Sequence, residues 1–300
     1  MRDAIKTVRT PVLEVAYEEH GPGDGPPVLL LHGWPYDVRA YDGVAVALAG
    51  AGCRVVVPWL RGFGMTRFLD PATPRCGQQG ALGADVRDLV DALGMSPAVL
   101  VGYDWGGRGA CAAAALWPAR VRGLVTIGGY TVQDIAGAVQ PGPAEQEWRW
   151  WYQYYFQTPR GAAGLEANRR EICRLLWRLW SPAWAFDEAT FEASAAAFDN
   201  PDWVAVTLQS YRHRFGYAPG DPALEEVEAA LASRPAIGVP TVVLHGGNDG
   251  VAPPEGAADL SRFNSQIVGS VRREVVPGVG HNMPQERAEP VVRAVLELLA

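Results

Sequence analysis

Ala98-Val99-Leu100-Val101-Gly102-Tyr103-Asp104-Trp105-Gly106-Gly107 begins as an unbroken apolar run and ends among glycines. The residues that follow, Arg108-Gly109-Ala110-Cys111-Ala112-Ala113, are mostly small and suit a tightly packed helix. The pattern predicts a buried strand, a sharp turn and a helix. Gly102 and Gly106 flank the turn and let the backbone kink, which pushes the Asp104 side chain out above the sheet. The spacing is that of G-x-S-x-G, where the tip residue is a nucleophile. Here the tip is an aspartate.

That residue narrows the chemistry. A carboxylate is a poor nucleophile toward esters and amides, because the anhydride it would form reverts. It is competent at strained or activated saturated carbon, where attack leaves a stable alkyl ester. Asp104 therefore points to epoxide opening or carbon–halogen cleavage. The helix predicted from Gly106 onward aims its positive end at the carboxylate and favours its ionised form. An aspartate that only caps a helix is the plain alternative.

Working outward, strands are predicted at 12–17, 28–31, 54–58, 121–127, 241–244 and 272–276, and helices at 38–48, 84–93 and 291–299. Strands alternating with helices imply a mostly parallel sheet covered on both faces, with its site beyond the carboxyl ends of the strands. His32-Gly33-Trp34-Pro35, Arg61-Gly62-Phe63-Gly64 and Asp104 all fall just past predicted strand ends, on one rim. The rhythm stops after Tyr130. Segments 137–143 and 216–222 are Gly/Pro linkers, 145–156 is rich in Trp and Tyr, and 164–180 has apolar residues at helical spacing. Asn200-Pro201 reads as an N-cap with proline at the first helical position. The expected organisation is an α/β core of residues 1–130 and 236–300 with a helical cap, 131–235, inserted before the last strands.

The chain has 300 residues and a formal net charge of −7, so it lacks the basic footprint of a nucleic-acid binder. Cys53, Cys76, Cys111 and Cys173 are far apart and form no C-x-x-C pair, which argues against zinc and disulfide frameworks. No metal-ligand spacing is present, and neither metal nor cofactor is expected. Residues 1–18 carry charges throughout, and no stretch is apolar enough to span a membrane, so a cytoplasmic location is the expectation.

Asp104, Asp249 and His281 occur in the order nucleophile, acid, base, each just after a predicted strand. Asp249 would orient His281, and His281 would activate a water that attacks the Asp104 ester. The position after strand 121–127 reads Gly128-Gly129-Tyr130 and offers no acid, which favours Asp249. Ester hydrolysis places an oxyanion on Asp104, and the backbone N–H groups of Trp105 and Trp34 are the candidate donors. His32 is expected to brace its loop.

With these motifs in place, the chain resembles the epoxide hydrolase branch of the α/β hydrolase fold over nearly its whole length. The resemblance rests on His32-Gly33-Trp34-Pro35, Arg61-Gly62-Phe63-Gly64, Gly102-Tyr103-Asp104-Trp105-Gly106-Gly107, Gly247-Asn248-Asp249 and Gly280-His281. It implies a small apolar or aromatic epoxide as substrate, with water, and two cap tyrosines donating to the epoxide oxygen. Tyr152, in Tyr152-Gln153-Tyr154-Tyr155-Phe156, and Tyr211, before Arg212, match those positions, with Tyr155 or Tyr154 as fallbacks for the first. Tyr103, Trp59 and Arg160 depart from the family's usual residues. A haloalkane dehalogenase using the same aspartate is the alternative enzyme, with the Trp34 and Trp105 indoles as halide donors. A non-catalytic small-molecule binding protein on this fold is the alternative of another class. The oligomeric state is left open.

Overall fold

A computed structural model describes residues 5–254 and 266–300. Of the core segments expected from sequence, residues 1–4 and 255–265 lie outside the described residues. The strands are β1 (Lys6–Arg9), β2 (Leu13–His20), β3 (Pro27–Leu31), β4 (Arg54–Pro58), β5 (Arg67–Phe68), β6 (Ala98–Tyr103), β7 (Val121–Ile127), β8 (Thr241–Gly246) and β9 (Val271–Val276). They form one sheet in the order β1-β2-β4-β3-β6-β7-β8-β9, with β5 beside β2. β1, β2 and β4 pair antiparallel, and the run from β4 to β9 is parallel. The continuous apolar runs form the strands because both faces are covered. Helices α1 (Asp42–Gly50) and Ala288–Leu299 pack together, and α2 (Gln79–Ala92) packs on α3 (Asp104–Leu116).

From β3 the chain turns one way to β4, then returns to β6 on the other side of β3. Strand order reverses there, which opens a crevice between the loops after β3 and β6. Leu31, the last residue of β3, is in register with Gly102. The two loops therefore emerge side by side.

At the tip of β6, Asp104 adopts φ +49°, a left-handed conformation rare for residues other than glycine. The flanking glycines make this turn possible. A Cβ on Gly102 would lie 2.4 Å from the Gly106 carbonyl oxygen, and one on Gly106 would lie 2.1 Å from that of Leu31. The turn is completed within one residue, so α3 starts at Asp104 rather than at Gly106.

Two other helices differ from the expectation in their bounds. Val38–Tyr41 is a 3-10 turn capped by Asp37, and the α-helix begins only at Asp42. α2 begins at Gln79 rather than at 84, because residues 79–83 are buried on every side and show no amphipathic period.

Between β7 and β8, residues 131–235 contain no strand. They form α4 (Ala144–Arg149), α5 (Trp151–Tyr155), α6 (Pro159–Trp180), α7 (Glu188–Ala195), α8 (Trp203–Arg214) and α9 (Glu225–Ala232), with short 3-10 turns. Thr158 caps α6 by accepting from the Gly161 N–H at 2.9 Å, and Pro159 takes its first position. Asn200 is not the cap expected for the later helix, which starts at Trp203. Its side-chain oxygen accepts from the Asp202 N–H at 2.9 Å just ahead of that helix, and its amide donates to the carbonyls of Gly64 and Thr66 at 3.1 and 2.8 Å. The Trp177 indole N–H donates to the Pro35 carbonyl at 2.8 Å. These bonds tie the helical segment to the loops after β3 and β4. The second of those loops is fixed from the core side by Arg61, whose guanidinium grips Asp85 of α2 with two bonds of 2.6 Å. All four cysteines are buried and free. No helix among the described residues is long and apolar enough to cross a membrane.

The contact between Gly106 and the end of β3 leaves no room for a methyl group. Gly106→Ala is expected to destabilise the protein by about 3 kcal/mol, measured by urea unfolding. A loss below about 1 kcal/mol would mean that the end of β3 yields freely.

Candidate active site

Asp104 is 7% exposed. Its Oδ1 accepts two backbone hydrogen bonds, from Trp34 N–H at 2.8 Å and Trp105 N–H at 2.7 Å. The first donor comes from the β3 loop and the second from the start of α3, so the register of β3 on β6 builds the clamp. With Oδ1 held, Oδ2 is turned to the other side. The Tyr130 hydroxyl donates to Oδ2 at 3.2 Å, and His281 Nε2 stands 3.9 Å from it. Tyr130 was not singled out from sequence. It lies just past β7, on the same rim as the residues that were, so the strand-end rule already contained its signal.

His281 and Asp249 are 2% and 4% exposed. His281 Nδ1 and Asp249 Oδ2 are 2.7 Å apart. The other Asp249 oxygen accepts from the N–H groups of Val251 and Ala252 at 2.9 and 2.8 Å. The carboxylate is thus aimed by its own turn. The Trp180 carbonyl, at the end of α6, accepts from both Gly250 N–H and His281 N–H at 2.9 and 3.1 Å. Ser181 Oγ accepts from His281 N–H at 3.0 Å and donates to Glu286 at 2.6 Å. Glu286 also accepts from the Gly280 and Asn282 amides. No sequence motif marks this brace.

The charges are tightly coupled. Burial opposes the charged form of His281, but the Asp249 and Asp104 carboxylates outweigh it and push the imidazole up to about 10. Burial also works against the Asp104 anion, yet His281 and the Trp34 amide hold its carboxyl below the usual range. His32 behaves differently. Its Nε2 accepts from Leu60 N–H at 3.1 Å, and its Nδ1 lies 2.9 Å from the Gly33 carbonyl, so the ring is neutral and ties two loops together. Burial lowers its pKa to about 4.

Tyr152 and Tyr211 are both buried and face each other edge-on with ring centroids 5.4 Å apart. Each also packs on the Trp34 ring, at 5.6 and 5.2 Å. Gln153 donates to the Tyr152 hydroxyl at 3.0 Å. Tyr154 instead bonds Glu147, and Tyr155 packs against α6 at Gly164. The Trp34 indole N–H donates to Thr207 at 3.0 Å. A cavity of about 760 Å³ is lined by Asp104, Tyr130, Tyr152, Gln153, Arg108 and Arg214, among others.

The profile of the alpha/beta hydrolase fold family matches residues 26–288. A crystal structure of a candidate epoxide hydrolase from Klebsiella pneumoniae is 45% identical, with a TM-score of 0.95 over 99% of this chain and 97% of that one. Epoxide hydrolase A of Mycobacterium tuberculosis is 28% identical over 309 residues, covering 94% of this chain and 92% of that protein. Epoxide hydrolase 2 of Siraitia grosvenorii is 36% identical over 105 residues, a match that spans 33% of that protein.

An imidazole held charged by two carboxylates stabilises the fold only while it is charged. His281 is raised to about 10 from an ordinary value near 6.5. Its contribution is therefore complete below about pH 6.5 and is lost as pH rises toward about 10. Thermal unfolding between pH 6.5 and 10 should show a steeper loss for the native protein than for His281→Gln. Parallel curves would mean that His281 is neutral in the resting protein.

Proposed function

The chain belongs to the α/β hydrolase fold family, and from that premise we propose that it opens epoxides to vicinal diols through an ester on Asp104. One observation carries the reading: one oxygen of a buried carboxylate is clamped by two amides, and the other faces an imidazole. In the first step Oδ2 attacks an epoxide carbon and the ring C–O bond breaks. Tyr152 and Tyr211 donate to the departing oxygen, which an alkoxide needs and a halide does not. In the second step His281, oriented by Asp249, takes a proton from water. The hydroxide attacks the Asp104 ester carbonyl, and the oxyanion forms on Oδ1 between the Trp34 and Trp105 amides. The Cγ–Oδ2 bond breaks, Oδ2 leaves with the diol and takes the proton His281 had removed from water, and the water oxygen stays on Asp104.

The electrostatics support this order. A charged His281 cannot act as a base. Alkylation neutralises Asp104 and removes one of the two charges that keep the imidazole protonated. His281 can then lose its proton when the ester is present. Residues 131–235 act as the cap, supplying both tyrosines and one wall of the cavity. The haloalkane reading loses one of its two halide donors, because the Trp34 indole is bonded to Thr207, and keeps the other, the buried Trp105 indole N–H. The enzyme needs no cofactor and works in the cytoplasm.

His281→Gln incubated with epoxides should accumulate an adduct of the whole epoxide mass on the peptide holding Asp104, read by intact and peptide mass spectrometry. Adducts formed only from haloalkanes would replace the reading with a dehalogenase, and no adduct from any of them would favour a binding protein. In the native background, Tyr152→Phe and Tyr211→Phe should each slow ester formation by about 100-fold in single-turnover measurements.

A further inference from the structure

Resting on the Asp104 reading, the cavity says more about the substrate. Four arginines line it: Arg108, Arg149, Arg214 and Arg234. Two of them are matched by carboxylates on the same wall, Arg149 by Glu145 at 3.6 Å and Arg234 by Asp134 at 3.2 Å. Arg108 and Arg214 form no ion pair among the described residues, and the Nε of each is buried without a hydrogen-bond partner. Arg108 lies one helical turn beyond Asp104 on α3, with its guanidinium over the Tyr130 ring at 5.0 Å. Arg214, 8% exposed, donates to Gln153 at 3.0 Å and lies over the Tyr211 ring at 4.8 Å. Burial and the neighbouring charge of Arg214 pull Arg108 down to about 10.

A guanidinium nitrogen buried without a partner is costly, and Arg108 and Arg214 each present one beside the same cavity. Asp104 acts on Arg108 only across space and accepts no hydrogen bond from either arginine, its oxygens being taken by Trp34, Trp105 and Tyr130. We infer that the substrate carries a carboxylate a few bonds from the reacting carbon, and that Arg108 and Arg214 bind it. The planar fork of a guanidinium matches a carboxylate through paired hydrogen bonds. The small apolar epoxide expected from sequence gives no partner to either arginine.

The test compares 3-phenylglycidate with its amide, which has the same shape and no charge. The acid should be turned over with a kcat/KM higher by about tenfold or more. Arg108→Met and Arg214→Gln should each shrink that ratio, chiefly by raising KM for the acid. Calorimetry with 3-phenylpropanoate and 3-phenylpropanamide reads the arginines without chemistry, and only the acid should bind the native protein. Equal turnover of acid and amide would overturn the inference and leave epoxide hydrolysis standing. Binding of the acid without turnover of either epoxide would keep the arginine pair and overturn the epoxide reading. If neither acid binds nor reacts, the inference falls.

Discussion

The structure depends on one close approach: Gly106 pressed against the carbonyl end of β3. That contact exists because β6 turns into α3 through a single residue, and the residue is a left-handed Asp104. The conformation costs about 1–3 kcal/mol. It persists because the surroundings determine it, with Leu31 in register beside Gly102 and two amides drawn onto Oδ1. The same geometry that strains the backbone turns the second carboxylate oxygen toward Tyr130 and His281. A relaxed strand end would give neither the clamp nor this orientation.

Around this elbow, polar groups are satisfied in a chain that runs outward from the reacting atoms. Asp249 is held by its own turn, His281 by Asp249, and the His281 loop by Ser181 and Glu286. The Trp180 carbonyl receives amides from both the Asp249 loop and the His281 loop, so the end of α6 sets their separation. A helix outside the sheet therefore positions groups that the sheet itself presents. The charges follow the same logic. One buried imidazole serves two carboxylates, and its protonation is tied to whether Asp104 carries a charge. Arg108 and Arg214 line the same cavity and form no ion pair among the described residues.

Trp34 joins the two halves. Its amide holds Asp104, its indole bonds Thr207 of α8, and its ring packs against Tyr152, Phe156, Trp180, Trp203 and Tyr211. The rings packed on Trp34 are buried, and Tyr152 and Tyr211 are among them. Packing and positioning are the same contact here, because a ring buried on Trp34 has little freedom to move.

Local pattern determined a good deal. Apolar runs in β3, β4, β6 and β7 marked the strands, because segments buried on both faces carry few polar residues, with Arg54 and Arg122 confined to the strand starts. The glycines at 102 and 106 marked the elbow, because no other residue fits there. Asp104, Asp249 and His281 were legible because strand ends in a parallel sheet share one rim. Helix bounds were less legible: α2 lost its period where both its sides are buried, and Asn200 stands ahead of its helix, where it also tethers loops. The Ser181–Glu286 brace and the pairing state of the described cavity arginines were decided only by the tertiary structure. Each depends on contacts between residues distant in the chain, and whether a charge is matched is a property of its neighbours in space.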